Sequence, residues 1–247
     1  MKFLLSFVFI FFANFVYADG FYYRIATEEF PPISFYNNIS LKADGIGPNI
    51  VDEILKKLNI KRKIRVLPWA RAYRLTIYKN NRILFCVARI PEREKLFQWA
   101  GPLFFSKVSF YTKANSKIII NSLEDAKKIK KIGVCKNFFD EIHLTTKGFK
   151  NLEPVTQQQQ NIRKLMANRF EVITGTDITM PIMLKREGLS MKDVKKHFSF
   201  MNYGNYIVFS KKFPVEIVNQ WRQQIDELKK DGTINDILKK WENYGSK

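Results

Sequence analysis

The chain has 247 residues, of which 46% are hydrophobic, 15% aromatic and 26% charged. This length and apolar content suffice for one large domain or two lobes with packed cores, which excludes a disordered chain and a small disulfide-dependent scaffold. The net charge of +19 attracts anions, but its basic residues are scattered and no nucleic-acid-binding motif accompanies them. Two explanations stay open for the charge: weak attraction to an acidic membrane surface, or a bias of the whole composition.

The first 18 residues are typical of an export signal. Lys2 precedes an apolar stretch at residues 3–12, and Val16 and Ala18 are small residues where a signal peptidase cleaves. The stretch is too short for a convincing membrane span, although an uncleaved anchor stays open. The residue directly after the predicted cleavage position is Asp19, not a cysteine, so a lipid anchor is not supported. We therefore expect a signal peptide at residues 1–18 and a soluble protein in the periplasm.

Two cysteines, Cys86 and Cys135, each lie inside an apolar, strand-like segment. Export permits a disulfide, but thiols on strands in separate units of a chain rarely reach the Cα separation of about 4.4–6.8 Å that a bridge requires. The sequence therefore predicts two free, buried thiols.

Strands alternate with helices along the mature chain. Strands are predicted at residues 22–27, 63–67 and 83–87, with helices after Gly45 and over residues 70–78. Such alternation predicts a mainly parallel sheet flanked by helices, with ligands at the carboxyl ends of the strands.

The alternation restarts in the second half of the chain. Extended segments are predicted at residues 109–112, 131–134, 170–174 and 206–210, with helices beginning at Leu123 and around Ile162, and two helices closing the chain. We therefore predict an α/β fold with a second βα lobe.

Two arginines follow the strand predicted at residues 83–87. A planar guanidinium presents two parallel donors that match a carboxylate, so Arg93 is predicted to clamp an acidic ligand. The alternative is a surface arginine that pairs with Glu92 or Glu94. Arg89 is either a second contact to the anion or a support for the hinge.

Several motifs together resemble one family. They are FPPISFY before a glycine-led helix, LPWARAYRL, PER followed by FQWAGP, and the ending from FSKKFP to the last tryptophan. With these motifs the chain resembles the bacterial extracellular solute-binding proteins of family three, the polar amino-acid-binding group, in a divergent branch with PWxR and RxPER motifs. The resemblance covers essentially the whole mature sequence and implies the type II periplasmic-binding-protein fold, with two lobes and a ligand cleft between them. On this fold the first lobe is expected to be discontinuous, residues 19–111 and 205–247, and the second lobe to comprise residues 112–204.

The resemblance also implies roles for individual residues. Arg93 would hold the ligand's α-carboxylate, and Trp69 would stack on the ligand or else pack in the core. The threonines that assist the arginine in this family are replaced by Ala88 and Ile90. The anchor for a carboxylate is thus retained, while recognition of an α-amino group stays open.

Five further residues are candidates for contact with the ligand. In the second lobe, Asp177 is placed to meet an ammonium or hydroxyl group, with Thr176 beside it, or else to cap the following helix. Phe35 and Tyr36 would line the mouth of the cleft or pack beneath it. Phe138, in the loop after a strand, would touch the ligand from the second lobe.

The function implied is capture of an amino acid or similar small carboxylate for an ABC importer by closure of the lobes. The expected partners are this ligand and the importer's permease, and the chain is expected to be a monomer. Motifs of hydrolases, metalloproteases and phosphate-binding loops were not found, so no catalytic residue, metal or cofactor is expected. The alternatives are a sensing module for a membrane receptor and, less favoured, a dehydratase of the cyclohexadienyl or arogenate type that uses Glu28, Glu29 or Glu171.

Overall fold

The computed structural model describes residues 21–242 of the chain. The predicted signal peptide at residues 1–18 therefore lies outside the described residues. Within the described part, every helix that the apolar spacing predicted is present.

The strands of this part of the chain are β1 (Arg24–Thr27), β2 (Phe35–Asn37), β3 (Lys42–Asp44), β4 (Ile64–Val66), β5 (Arg82–Ala88), β6 (Phe97–Lys113), β7 (Ile132–Cys135), β8 (Leu152–Val155), β9 (Val172–Thr176) and β10 (Val194–Ser210). The α-helices are α1 (Ile46–Lys57), α2 (Trp69–Tyr78), α3 (Leu123–Lys127), α4 (Phe139–Thr146), α5 (Gln158–Met166), α6 (Met180–Arg186), α7 (Val215–Lys230) and α8 (Thr233–Glu242), and short 3-10 helices span Pro91–Leu96 and Met191–Asp193.

One sheet runs through the described residues in the order β4-β1-β5-β10-β6-β9-β7-β8, and β2 and β3 form a separate hairpin. β1 is parallel to β4 and β5, and β7 is parallel to β8 and β9. The long strands β6 and β10 run antiparallel to each other through the middle of the sheet. Each end of the sheet is therefore mainly parallel, which confirms the predicted fold class.

The two long strands join the two lobes. β5 pairs with residues 205–209 of β10, and β9 pairs with residues 108–111 of β6. Between these pairings, residues 105–107 and 202–204 pair only with each other, so the sheet narrows there to a two-stranded ribbon. A narrow ribbon between two wider sheets is a natural hinge, because few contacts resist its bending.

The boundary that the sequence predicts at residue 111 falls inside the strand pairing of the second lobe. Phe110 pairs with Thr174 of β9 and is fully buried in a cluster with Ile132 and Leu144. The predicted boundary at residue 205, by contrast, adjoins the ribbon. β6 and β10 each run 17 residues without a break, and the sequence indicated only the last part of each.

Helices cover both faces of each half of the sheet. In the first lobe, α1, α7 and α8 pack on one face, where Trp221 lies fully buried with its ring 5.7 Å from that of Phe209, and α2 packs on the other. In the second lobe, α5 and α6 cover one face and α3 and α4 the other. Each lobe therefore has its own core, as layered α/β architecture requires.

Both cysteines are free and buried, which confirms the prediction. Cys86 lies in β5 of the first lobe, whereas Cys135 ends β7 in the second. Among residues 21–242, no helix combines the length and apolar character that a bilayer span needs.

Candidate functional site

Arg93 lies in the cleft between the lobes. β5 ends at Ala88, Ile90 is extended as the residue before a proline tends to be, and Pro91 starts the 3-10 helix. This turn directs the Arg93 side chain back over the end of β5, where the residue is only 2% exposed. A side chain at the carboxyl end of a strand thus reaches the edge of the sheet where α/β proteins bind ligands.

The buried guanidinium of Arg93 is poorly supplied with acceptors. Nη1 donates to the carbonyl oxygen of Ala88 and Nη2 to that of Asn137, each over a long 3.4 Å, and Nε has no partner. Its central carbon lies 4.9 Å from the ring centroid of Trp69 and 5.2 Å from that of Tyr73. A guanidinium carries five N–H donors, so this one retains capacity for an anion.

Two carboxyl groups face the arginine from opposite lobes. Glu28, which directly follows β1, has its pKa raised by burial to about 8, although Arg93 opposes this effect. Asp140, in the first turn of α4, is buried, and burial raises its pKa despite a 2.5 Å hydrogen bond donated by the Thr174 hydroxyl. The second oxygen of Asp140 has no hydrogen-bond partner. Burial lowers the pKa of Arg93, and Tyr73, Glu28 and Asp140 oppose that effect.

Aromatic rings close the cleft over the arginine. Phe138 of the second lobe lies edge-on to Phe30 at 5.8 Å and to Trp69 at 6.0 Å, and the Trp69 Nε1 donates to the Asn137 carbonyl oxygen at 3.4 Å. The cavity that remains beside Arg93 is only about 10 Å³. A neighbouring cavity of about 450 Å³ lies between the lobes and is lined by Glu28, Trp69 and Phe138, among others.

The structure brings four of the predicted site residues to these two cavities. Arg93, Trp69 and Phe138 line the cavity at the arginine, and Tyr36, with Trp69 and Phe138, lines the larger one. Phe35 lies elsewhere: it is buried in the core of the first lobe, with its ring 5.8 Å from that of Trp241.

Arg89 also points away from the cleft cavities. Its guanidinium pairs with Glu94 at 2.5 Å and lies over the rings of Trp99 and Tyr206, at 5.3 and 5.2 Å. The Arg89 backbone N–H donates to the carbonyl oxygen of Gly204 at 3.4 Å. These contacts favour the second of its two predicted roles, a support beside the hinge ribbon.

Asp177 and Thr176 do not line either cavity. The Asp177 carboxylate accepts the backbone N–H groups of Lys107 and Ile178, each at 3.0 Å, and thereby ties β9 to the hinge ribbon. The buried Thr176 hydroxyl lies 2.8 Å from that of Thr179 and accepts the Thr179 N–H at 3.1 Å. Both side chains therefore organise the turn that precedes α6.

The sequence analysis missed several residues that line the cavity at Arg93. Phe30, Cys86, Phe139, Tyr203 and Asn205 belong to this group. Glu28 was considered only as a catalytic acid, yet its place immediately after the first predicted strand could have identified it as a cleft residue. Tyr203 and Phe139 offered no such signal, because α4 and the length of β10 were not predicted.

Comparison with known proteins identifies the class that this fold and cleft define. The family model of the bacterial extracellular solute-binding proteins, family 3, matches residues 23–244. The chain belongs to this family, as the motifs predicted. The L-cystine-binding protein TcyA of Bacillus subtilis (strain 168) is 22% identical over 219 residues, which cover 88% of this chain and 80% of that protein.

Solved structures share the two-lobed fold. A histidine kinase sensor domain with similarity to periplasmic binding proteins superposes with a TM-score of 0.81 at 14% identity, covering 91% of this chain and 97% of that one. An ancestral arginine-binding protein bound to glutamine gives 0.75 at 22% identity over 89% and 97% of the two chains. The substrate-binding protein of an amino acid ABC transporter gives 0.73 at 20% identity over 89% and 99%.

Proposed function

We propose that this solute-binding protein captures an amino acid or similar small carboxylate and delivers it to an ABC importer. The observation that carries the proposal is the Arg93 guanidinium, buried between the lobes with long hydrogen bonds and an unpartnered Nε. The similarity to the L-cystine-binding protein TcyA and to the substrate-binding protein of an amino acid ABC transporter supports the choice of ligand and partner.

The surroundings of Arg93 fit a zwitterion. The ligand's carboxylate would accept hydrogen bonds from the Arg93 guanidinium. Its ammonium would face the carboxyl group of Glu28, which directly follows β1 at the ligand-binding edge of the sheet. Trp69 and Phe138 would enclose the apolar part of the ligand. In this proposal Glu28 takes the role that the sequence assigned to Asp177.

Binding requires movement, because a cavity of about 10 Å³ holds no more than a water molecule. We propose that the lobes open at the ribbon of residues 105–107 and 202–204, admit the ligand to Arg93, and close with Phe138 against it. With the hinge at the ribbon, the first lobe boundary lies near residue 107, about four residues before the predicted boundary at residue 111. The second boundary, predicted at residue 205, stays in place.

We further propose that residues 1–18 direct export to the periplasm and are removed there, and that the protein acts as a monomer without enzymatic activity. Its closed form would then be the shape that a permease recognises. Intact-mass measurement of the exported protein tests this, since cleavage after Ala18 gives a chain that begins at Asp19.

The test of the binding function is a titration of purified protein. A thermal-shift screen of the standard amino acids, cystine and small dicarboxylates selects ligands, and calorimetry then measures affinity. Arg93→Ala should weaken binding by about 100-fold or more, because it leaves a buried carboxylate without its charge partner. Arg163→Ala is the matched control and should change affinity by less than about threefold, since Arg163 pairs with Glu187 on the surface of the second lobe, outside both cleft cavities. Equal affinity of the Arg93→Ala variant and the unaltered protein would contradict the assigned role.

A free-standing sensing module is the second candidate, and the sensor-domain structure with the same fold favours it. Binding and closure would be the same, but the closed form would engage a receptor. Co-purification of the liganded protein with a permease or with a receptor kinase separates the two.

A dehydratase is a third candidate because Glu28 provides one element of such chemistry, a cleft carboxyl group with a pKa of about 8. Incubation with a prephenate-like acid tests it. Turnover that Glu28→Gln abolishes would replace the binding proposal, and absence of turnover removes this candidate.

A further inference from the structure

A groove on the outside of the first lobe carries a concentration of positive charge. It lies between the β2–β3 hairpin, the edge strand β4 and the start of α2, and encloses about 620 Å³. Its basic residues, called here the basic groove, are Lys42, Arg62, Lys63, Arg65 and Arg71. The groove contains one acidic residue, Asp52, whose pKa is raised mainly by burial.

These charges are not neutralised within the described residues. None of the five basic side chains forms an ion pair there, whereas Arg163 pairs with Glu187 at 2.6 Å and Arg89 with Glu94 at 2.5 Å. A groove whose basic side chains form no ion pair within the described residues is suited to an external anion.

The positive charge continues from the groove along the neighbouring strands. Arg24 of β1 and Arg82 of β5 are direct partners across the sheet. Burial lowers the pKa of Arg82, and the charges of Arg24 and Arg65 lower it further. Like charges at directly opposed positions destabilise a sheet, so an anion from outside would relieve a repulsion that the fold itself leaves in place.

Apolar side chains project at the rim of the same groove. Ile39 is 95% exposed and Leu41 71% exposed, both at the turn of the β2–β3 hairpin, and Leu41 and the half-exposed Tyr36 line the groove. Exposed aliphatic side chains beside cations can enter the boundary between the headgroups and the acyl chains of a bilayer. Cations flanked by aliphatic and aromatic side chains are the pattern of proteins that lie on a lipid surface.

The chain enters the first lobe at this face. Arg62 lies over the ring of Tyr22, with its guanidinium carbon 4.6 Å from the ring centroid, and the described residues begin one position earlier, at Phe21. Tyr22 itself is 57% exposed, so this face presents an aromatic ring directly beside a cation. Aromatic side chains with an apolar body and a polar tip suit the interfacial layer of a bilayer, which favours a membrane surface over a soluble acidic protein as the partner.

We propose that the basic groove and the exposed hairpin turn of the first lobe bind the surface of a membrane rich in anionic lipids. The cations contact the phosphate groups, and Ile39 and Leu41 enter the interfacial region. Arg93 does not line the basic groove, but the groove shares Tyr36, Val66 and Leu67 with the larger cleft cavity and therefore adjoins the ligand site.

The test is flotation of the protein, recovered after expression of the full chain, with phospholipid vesicles. Vesicles of phosphatidylcholine with about one-third phosphatidylglycerol should bind the protein at least about tenfold better than pure phosphatidylcholine, and added salt should release it. Binding to the neutral vesicles also measures the contribution of an uncleaved signal peptide, which would bind both kinds of vesicle. Equal binding to both kinds of vesicle would overturn the proposal.

Charge reversal locates the binding face. Lys63→Glu, Arg65→Glu and Arg71→Glu combined should lower binding by about 100-fold or more, because each basic residue near an anionic surface contributes roughly a fivefold factor. The matched control reverses three exposed lysines of the second lobe, Lys150→Glu, Lys192→Glu and Lys195→Glu, which changes the net charge equally. An equal loss in both triple variants would show that net charge alone is responsible and would refute the groove.

The hairpin turn distinguishes a membrane from a soluble anion. Ile39→Asn with Leu41→Asn should reduce vesicle binding severalfold, and asparagine tolerates the positive φ of 53° at position 41. If this variant binds vesicles unchanged and millimolar inorganic phosphate displaces the protein, the groove is a site for soluble anions and the membrane proposal fails. Unaltered thermal melting of each variant establishes that it is folded.

Discussion

Arg93 shows how a single residue acquires its function from burial. On the surface it would pair with a neighbouring glutamate, as Arg89 does with Glu94 at 2.5 Å. Buried at the interlobe contact, it has two carbonyl oxygens at 3.4 Å and aromatic rings as neighbours. A desolvated cation with so few acceptors binds an incoming carboxylate more strongly than an exposed one would.

Glu28 leads to a prediction about stability. Its pKa of about 8 in the folded protein exceeds its ordinary value of 4.5, so the folded state retains a proton that the unfolded state releases. The free energy of unfolding should therefore fall as pH rises from about 4.5 to about 8. Glu28→Gln has no carboxyl group to ionise, so its free energy of unfolding should not fall in this way. Its melting temperature should exceed that of the unaltered protein by at least about 2 °C near pH 8, and by less near pH 5. Thermal melts across this range measure it, and a difference independent of pH would contradict the raised pKa.

The same group leads to a prediction about affinity. A ligand ammonium that pairs with Glu28 needs the ionised carboxylate, so binding releases a proton below pH 8. The affinity for an amino acid should rise by up to about tenfold per pH unit between pH 6 and 8 and level off above that. Glu28→Gln should bind more weakly and without this slope. Calorimetry in buffers of different ionisation enthalpy measures the proton release, and a flat profile for the unaltered protein would exclude Glu28 as the partner of the ammonium.

The packing of α1 on β5 depends on one glycine. A Cβ at Gly47 would lie 2.3 Å from the Cys86 Sγ and 3.0 Å from the Phe85 ring. Cys86 has a φ of 61°, and the pairing of β5 with β10 changes register here, so the strand bulges toward the helix. Close approach of the helix to this bulge requires a residue without a side chain.

Gly47→Ala should therefore destabilise the protein by about 1–3 kcal/mol, the usual cost of forcing an atom into a packed core. Cys86→Ala removes the nearest atom, so the double variant should lose less stability than the sum of the two single changes. Denaturant unfolding of all four proteins measures the coupling. Strict additivity would show that contact with the thiol does not limit the helix position.

The elements also show where prediction from sequence succeeded and where it failed. Apolar residues at helical spacing predicted α1, α2 and α5, because each helix buries one face against the sheet. The long strands β6 and β10 were only partly predicted, since their burial depends on which lobe surrounds each segment. Phe110 and Phe209, for example, lie in the cores of different lobes.

At the scale of the whole molecule, contacts between the lobes hold the closed form together. Phe138 lies against Phe30 and Trp69, and Arg186 of the second lobe pairs with Glu29 of the first at 3.6 Å. The ion pair is exposed and contributes little, so the aromatic contacts dominate.

Phe138→Ala should therefore shift the free protein toward an open form. Small-angle scattering should show a larger radius of gyration than for the unaltered protein without ligand. Phe198→Ala, which alters a half-exposed ring of the second lobe away from the cleft, is the control and should leave the radius unchanged. An unchanged radius for Phe138→Ala would show that other contacts hold the lobes together.

The sequence by itself determined the family, the alternation of strands and helices, and the position of Arg93 after a buried strand. These properties depend on local spacing and on short motifs, which a linear chain displays directly. Tertiary structure alone decided that the charges of Glu28 and Asp140 act on that arginine, and that Asp177 and Phe35 lie outside the cleft cavities. Those residues belong to separate elements in two lobes. The distances between them depend on how β6 and β10 orient one lobe relative to the other, and no local sequence pattern determines that orientation.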